Sequence, residues 1–369
     1  MRMDALPGTT LISEFSNESA ASVPLVTVGV IVRNEAATIV ETLQTLLEQD
    51  YPAFAFEIVV VDGGSNDGTY ELAKDFEKIA PGRLRVIRER EPTSHGKARN
   101  LVLSYAQPGV RYFAFTDGDC SVPSNWLRVL VDTLESEEAN VAGCGGPRCA
   151  HPKETGLALA LGYYLADPLA TGMNPGFAAR KVRFTRGPGN YNAAYRAEIF
   201  KRFRYDPVIR IGEDLDLNYR IRRAGLQFVQ VSTAVAHHGS RSFKELRTQM
   251  SGYGHAKAAF LMRNRRIDHF TSVVPPVLVL GITLLPLVAS IYPKVSWAVL
   301  AFYVAYACLV FCITCSVTWR MRSFWGLACL PAAILTHLSY GIGFLAETTV
   351  RLFRSAAASF LGRAQKKQY

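Results

Sequence analysis

Four groups of polar side chains stand where short apolar runs end. Asp62 follows the run 57–61. A carboxylate there can meet a nucleobase edge or a ribose, or simply close a turn, since Asp before Gly is common in turns. Asp117, Gly118 and Asp119 follow the run 112–116. Two carboxylates one residue apart at the end of a buried strand are costly unless something positive compensates them. A divalent cation shared with substrate phosphates is the natural partner, and a plain turn is the alternative. Gly212, Glu213 and Asp214 open a helical pattern over 215–223. Acidic residues there complement the helix dipole, and a functional carboxylate would be held ionised. The fourth group is basic: His95, Lys97 and Arg99, followed by Asn100. Beside a diphosphate these would neutralise charge, Arg in a bidentate manner. On a helix start facing water they would only be solvated.

These groups need elements to hold them. The β-branched run 25–32 reads as a buried strand. Ile39, Leu43, Leu46 and Leu47 then share a helical face. A strand at 57–61 ends in the turn-rich stretch 62–68. A helix through Leu72 and Phe76, a strand at 84–87, a helix at 97–106 and a strand at 112–116 follow. This alternation predicts an α/β fold, a mostly parallel sheet flanked by helices. Such folds bind ligands beyond the carboxyl ends of their strands, where the acidic groups stand.

The chain has 369 residues, 49% hydrophobic and 20% charged, which excludes a disordered protein. Its net charge of +10 suits a membrane protein with basic cytoplasmic flanks, or a polyanionic ligand. No nucleic-acid motif accompanies that charge, so nucleic acid is not expected as a partner. The seven Cys are scattered, which excludes a disulfide-dense miniprotein. Cys144 and Cys149 have no second pair beside them, so a zinc site is not expected. Residues 1–24 are polar and lack the apolar core of a signal peptide. They read as a loose lead-in to a cytosolic catalytic domain over 25–268. Residues 269–369 read as a membrane region.

Within that region the apolar segments 273–291, 295–317 and 326–345 each approach bilayer length. Basic residues stand before the first (Arg263, Arg265, Arg266), after the second (Arg320, Arg322) and after the third (Arg351, Arg354, Arg363, Lys366, Lys367). The positive-inside rule puts all three groups in the cytosol, which three crossings do not allow. One segment is therefore expected to be re-entrant or interfacial. The third is the choice, because Pro331, His337 and Gly341 interrupt it. His337 itself reads as a packing or interhelical hydrogen-bond residue. Val350, Phe353, Ala357 and Phe360 then recur among basic residues, as in a helix lying on an anionic membrane face.

Six stretches carry a resemblance: VTVGVIVRNEAATI (26–39), VVVDGGSNDGT (59–69), HGKARN (95–100), FTDGDCSVPSNWL (115–127), GPGNYNAAYRAEIF (187–200) and GEDLDLNYRIRRAG (212–225). Together, and in this order, they resemble family 2 glycosyltransferases with a GT-A-like fold. The apolar tail resembles that of membrane-bound members acting in exopolysaccharide or lipid-linked oligosaccharide assembly. The resemblance implies that Arg33, Glu35, Asp62, Lys97, Arg99 and Asp117 border a UDP- or GDP-linked sugar. It makes Asp119, with Asp117, the ligand of Mg2+ or Mn2+. It makes Asp214, beside Glu213, the catalytic base of an inverting transfer, and Asn190, Asn192 and Ala193 the lining of the acceptor pocket. The acceptor would be a glycan or polyprenyl-linked hydroxyl at the inner membrane.

One departure matters. The family's later Gln-rich, Arg-Trp signature is replaced by Gln249, Tyr253 and Gly254, which argues for one sugar added per event. A nucleotidyltransferase would want a Gly-rich basic loop where Arg33-Asn34-Glu35-Ala36-Ala37 stands. The alternative from another class is a membrane-anchored sugar-nucleotide-binding component of a glycan export system without catalysis of its own. Few spans and no paired charges within them leave little for a transport path. His237 and His238 remain open. Neighbours on a strand point to opposite faces, so both do not easily serve one site.

Overall fold

The computed structural model describes residues 23–89, 93–172, 183–239 and 242–365. The lead-in up to residue 22, the side chains of Ala357, Phe360 and Arg363, and Lys366 and Lys367 lie outside the described residues. The chain opens with β1 (Val26–Val32), α1 (Ile39–Leu47), β2 (Phe56–Asp62), α2 (Thr69–Ile79), β3 (Leu84–Arg88), α3 (His95–Tyr105) and β4 (Tyr112–Asp117). These are the elements the apolar periodicity predicts, with ends shifted by a residue or two. Then come β5 (Cys120–Ser121), α4 (Trp126–Ser136), β6 (Val141–Gly145), β7 (Arg148–Cys149), α5 (Gly156–Leu165) and β8 (Phe184–Thr185). The sheet-bearing half is completed by β9 (Asn192–Arg196), α6 (Ile199–Arg202), α7 (Glu213–Arg223), β10 (Gln227–Gln230) and β11 (Ala236–His238).

The main sheet has the order β3-β2-β1-β4-β9-β6-β10-β8. Its first four strands run parallel, whereas β9 is antiparallel to both β4 and β6. Two cores pack on the sheet's two faces. One gathers Val28, Val30, Ile39, Leu43 and Trp126 under α1 and α4. The other gathers Phe113, Phe115, Tyr195, Phe200 and Leu217 under α3 and α7. A small second sheet, β5-β11-β7, sits beyond the carboxyl end of β4.

Four long helices follow: α8 (Phe243–Asn264), α9 (Val274–Ile291), α10 (Ser296–Met321) and α11 (Cys329–Gln365). Among the described residues, three stretches are long and apolar enough to cross a membrane: Phe270–Ile291, Pro293–Met321 and Phe324–Arg354. The expected interruption of the third is not found, since α11 is one unbroken helix. Pro331 falls in its first turn, where a missing N–H costs nothing, because those N–H groups have no intrahelical partner. Gly341 and Gly343 serve close packing: a Cβ would run into Pro275 O at the first and Ser251 O at the second. Neither α8 nor its packing along α11 was visible in the apolar pattern. The polar face of α8 hides it.

Candidate active site

The loops after β1 and β2 are stitched together. Asn34 N–H donates to Ser65 Oγ at 2.9 Å, and Asn66 N–H to Asn34 Oδ1 at 3.0 Å. Glu35 N–H donates to Thr69 Oγ1 at 2.8 Å. Asn34 holds φ at 59°, a left-handed conformation in which Asn is tolerated better than most residues. Arg33 projects exposed from this rim, and Glu35 lies beside it, half-buried. The next loop is tied in by Gly118 O, which accepts from Thr38 Oγ1 at 3.0 Å and Thr42 Oγ1 at 2.9 Å. A Cβ on Gly118 would collide with Val32, so only glycine lets the Asp117–Asp119 turn lie against β1.

Asp62 sits at the end of β2, fully buried. Its carboxylate accepts the Ser65 N–H at 3.2 and 3.3 Å, and Arg88 Nε stands 3.7 Å away. Asp62 therefore holds the shape of the β2–α2 loop, and in this conformation its carboxylate is turned inward. Lys97 is half-exposed and pairs with Glu89 at 2.9 Å.

Arg99 departs most from its expected place. It is 4% exposed, so it offers no free face to a diphosphate. Its guanidinium forms a short ion pair with Glu213 and donates to Asp117 Oδ1 at 3.2 Å. Burial opposes the Arg99 charge, but Glu213 and Asp117 together raise its pKa and keep it cationic. Burial likewise pushes Glu213 above the usual carboxylate range, with Arg99 acting against that shift. Glu213 is thus the buried ion-pair partner of Arg99. Asp214, its neighbour at the start of α7, is half-buried, and its Oδ1 accepts the Leu215 N–H at 2.7 Å. Arg99 consequently bolts the Asp117 turn to the helix end that carries Asp214.

The residues expected to line the acceptor pocket are all buried. Ala193 is fully buried in the core, on β9 between β4 and β6. Asn192 is fully buried as well. Its Oδ1 accepts from Trp126 Nε1 at 2.8 Å, and its Nδ2 donates to Ala234 O at 2.6 Å and Pro147 O at 3.2 Å. Every polar atom of this amide is spent inside the fold. Asn190, 2% exposed, accepts from the Tyr195 hydroxyl at 3.0 Å.

One side chain left open by the sequence joins the site. In the small sheet β11 pairs with β5, which sets His238 opposite Cys120. His238 Nε2 then lies 3.4 Å from Asp119 Oδ1, while its Nδ1 contacts Gly239 O at 3.0 Å. His237 points the other way, to Ala150 O at 3.0 Å, as strand alternation requires. Asp119, Cys120 and His238 bring their donor atoms within 4.8 Å of one another. Burial, then the Arg148 charge, lowers the His238 pKa, which favours the neutral imidazole that ligates metals. Burial raises the Cys120 pKa and keeps it a thiol. The set therefore fits a divalent cation through a carboxylate oxygen and an imidazole nitrogen. Arg148, buried on β7 and donating to Gly239 O at 3.1 Å, fixes the same corner. A lone Arg in a loop sequence carries no signal of that role.

With this geometry in hand, the relatives can be compared. The family model for glycosyl transferase family 2 matches residues 27–202. Glycosyltransferase AglE of Haloferax volcanii is 35% identical over 33% of this chain and 40% of its own length. The succinoglycan biosynthesis protein ExoA of Rhizobium meliloti is 24% identical over 85% of this chain and 92% of its own. The mannosyltransferase PcManGT of Pyrobaculum calidifontis, solved with GDP-Man and Mn2+, superposes with a TM-score of 0.55 at 20% identity, covering 89% of this chain and 88% of that one. That likeness is one of fold. The chain spans less than half the length of AglE. Residues 27–202 thus form a glycosyl transferase family 2 domain, with the GT-A-like sheet and the strand-end carboxylates in keeping with that match.

Proposed function

We propose that the protein transfers one sugar from a nucleoside-diphosphate donor to a hydroxyl of a lipid-linked or glycan acceptor, with inversion at the anomeric carbon. The observation that carries this reading is Arg99, which ties Asp117 and Glu213 into one unit and so holds Asp214 near the Asp119–His238 corner. The donor lies over the carboxyl ends of β1, β2 and β4, bordered by Arg33 and the Asn34–Ser65 loop pair. Asp119 and His238 hold Mg2+ or Mn2+. A cation there supplies charge compensation for the departing diphosphate.

Asp214 takes the proton as the acceptor oxygen attacks. A C–O bond forms to that oxygen, and the bond to the diphosphate oxygen breaks with its electron pair. With the base on the far side of the sugar from the leaving group, one displacement suffices and configuration inverts. The relation to ExoA supports an acceptor of surface-polysaccharide type, and the apolar helices support a membrane-held enzyme. Donor nucleotides are made in the cytosol, so the catalytic domain faces the cytosol from the inner membrane.

The experiment is a panel of UDP- and GDP-sugars incubated with membranes carrying the full chain, reading nucleoside diphosphate released. One donor should turn over, and Asp214→Asn should retain donor binding while the rate falls about 10²–10⁴-fold. Binding without turnover for every donor and acceptor would favour the non-catalytic export component. Lost donor affinity with unchanged turnover would move Asp214 to a binding role.

A further inference from the structure

We infer that α11 lies in the plane of the membrane interface under the catalytic domain, and that only the hairpin α9–α10 crosses the bilayer. By length and composition alone α11 qualifies as a span, with a mean hydropathy of 1.5 over its apolar window. Its surroundings differ from those of the other two. Half of that window is buried inside the protein, against 11% for α9 and 17% for α10.

What buries it is chiefly α8, joined by α9 at Gly341 and by α10, whose Tyr306 hydroxyl lies 3.3 Å from His337 Nδ1. Helices α8 and α11 run side by side in the same direction. Ser251 O packs where Gly343 lacks a side chain, Gly254 packs on the backbone of Tyr340 and Phe344, and His255 Nδ1 lies 3.3 Å from Glu347. Further along, Leu261, Met262, Arg263 and Arg265 share a cavity of about 680 Å3 with Arg351 and Arg354. The contact therefore continues from Tyr340 to Arg354 at a near-constant offset.

The other side of α8 is fixed to the catalytic domain. Phe260 meets the Tyr219 ring edge-on at 5.0 Å. Arg263 reaches Asp206 at 3.3 Å and Asp216 at 3.4 Å. Lys257 pairs with Asp268 at 2.6 Å. Lys244, Glu245, Arg247, Lys257 and Arg263 are spread along α8, so none of its length enters hydrocarbon. A helix that follows α8 turn for turn stays at the same level, one helix diameter away.

The face of α11 away from α8 suits that level. Ile342, Val350 and Phe353 are exposed there, while Glu347 and Arg351 turn back toward α8. Apolar residues below and basic residues at the rim are what an in-plane helix needs. The cavity arginines then stand among lipid headgroups. By contrast α10 carries exposed Trp297 and Trp319 near its two ends, about 33 Å apart at 1.5 Å per residue. That spacing matches two interfacial aromatic belts. Two crossings also put Arg263 to Arg266, Arg320, Arg322, Arg351 and Arg354 on one side, where three crossings do not.

The test uses the full chain in native membranes and in nanodiscs. A topology reporter fused after the last residue should read the same side as one fused at the N-terminus, and a tag inserted at Lys294 should read the opposite side. In nanodiscs, single fluorophores at positions 334, 342 and 353 should all be quenched by shallow lipid quenchers to similar extents. A crossing α11 would instead separate positions 334 and 353 by about 28 Å of depth, with 342 near the midplane. A C-terminal reporter on the side of Lys294, or such a depth gradient, would overturn the inference.

Discussion

His238 Nε2 lies 3.4 Å from Asp119 Oδ1, although the two residues are remote from each other in sequence. The contact exists because β11 pairs antiparallel with β5, a strand of two residues. If that corner holds the cation, Asp119→Asn and His238→Ala should each weaken Mn2+ binding about 10-fold or more, as loss of even an outer partner of a metal site does. Electron paramagnetic resonance of free Mn2+, titrated with protein and nucleoside diphosphate, gives the affinity directly. Cys120→Ala should leave it unchanged, because Mn2+ and Mg2+ prefer oxygen and nitrogen donors to sulfur. Unaltered affinity in His238→Ala would remove His238 from the site.

The same pair shows what a sequence does and does not display. The strands β1, β2 and β4 announce themselves as continuous apolar runs, and the carboxylates after them are local to those runs. Asp119 was legible for that reason. His238 was not, because a three-residue strand shows no usable periodicity and its partner β5 is remote. Arg99 was legible as a cation near the site. Its direction was not: only the packing of α3 against α7 turns it inward onto Glu213. Asn192 misled for a similar reason. An amide in a motif looks like a ligand contact until Trp126, Pro147 and Ala234 are seen to consume it. The membrane helices were plain from composition, whereas the amphipathic α8 mixes charges and apolar residues too evenly to stand out.

Arg99 and Glu213 form a buried ion pair that also holds Asp117, so single and double substitutions should part company. Arg99→Met leaves Glu213 and Asp117 uncompensated and should cost about 3–5 kcal/mol of stability. Adding Glu213→Leu to Arg99→Met should recover much of that loss, since a buried pair is often replaceable by apolar side chains of similar volume. Activity should not recover with it, because Asp117 has lost the donor that orients it. Chemical denaturation and donor turnover, measured on the two single variants and the double, separate these effects. Full activity in the stable double variant would make the pair purely structural.

Asn192→Ala should behave as a folding variant and not as an acceptor-site variant. The substitution strands the Trp126 indole N–H and the carbonyls of Ala234 and Pro147 in the core, each at about 1–3 kcal/mol. The melting temperature should drop, while the acceptor KM of the remaining folded enzyme stays as it was. A raised acceptor KM with an unchanged melting temperature would return Asn192 to the acceptor pocket.

Asp268 joins the catalytic domain to the membrane helices, and its ionisation should set a lower pH limit for that junction. Its carboxylate is met by Lys257 at 2.6 Å, Arg222 at 3.5 Å and Arg186 at 3.9 Å. Burial alone would raise its pKa, but Lys257, through charge and hydrogen bond, and then Arg186 and Arg222 lower it below 3.8. A depressed carboxylate pKa stabilises the folded form fully above the unfolded value of about 3.9. The stabilisation is lost as pH falls from there through the folded pKa. The junction should thus hold unchanged at neutral pH and loosen only below about pH 4. Asp268→Asn should already be weaker at pH 7, by about 1–3 kcal/mol for the lost charged hydrogen bonds. The variant should also lack this group's share of the acid response. Limited proteolysis between α8 and α9 in nanodiscs, followed from pH 8 down to pH 3, reads both effects. Equal cleavage of the two proteins at pH 7 would show that α8 keeps its place on the domain without Asp268, through Phe260 and Arg263 alone.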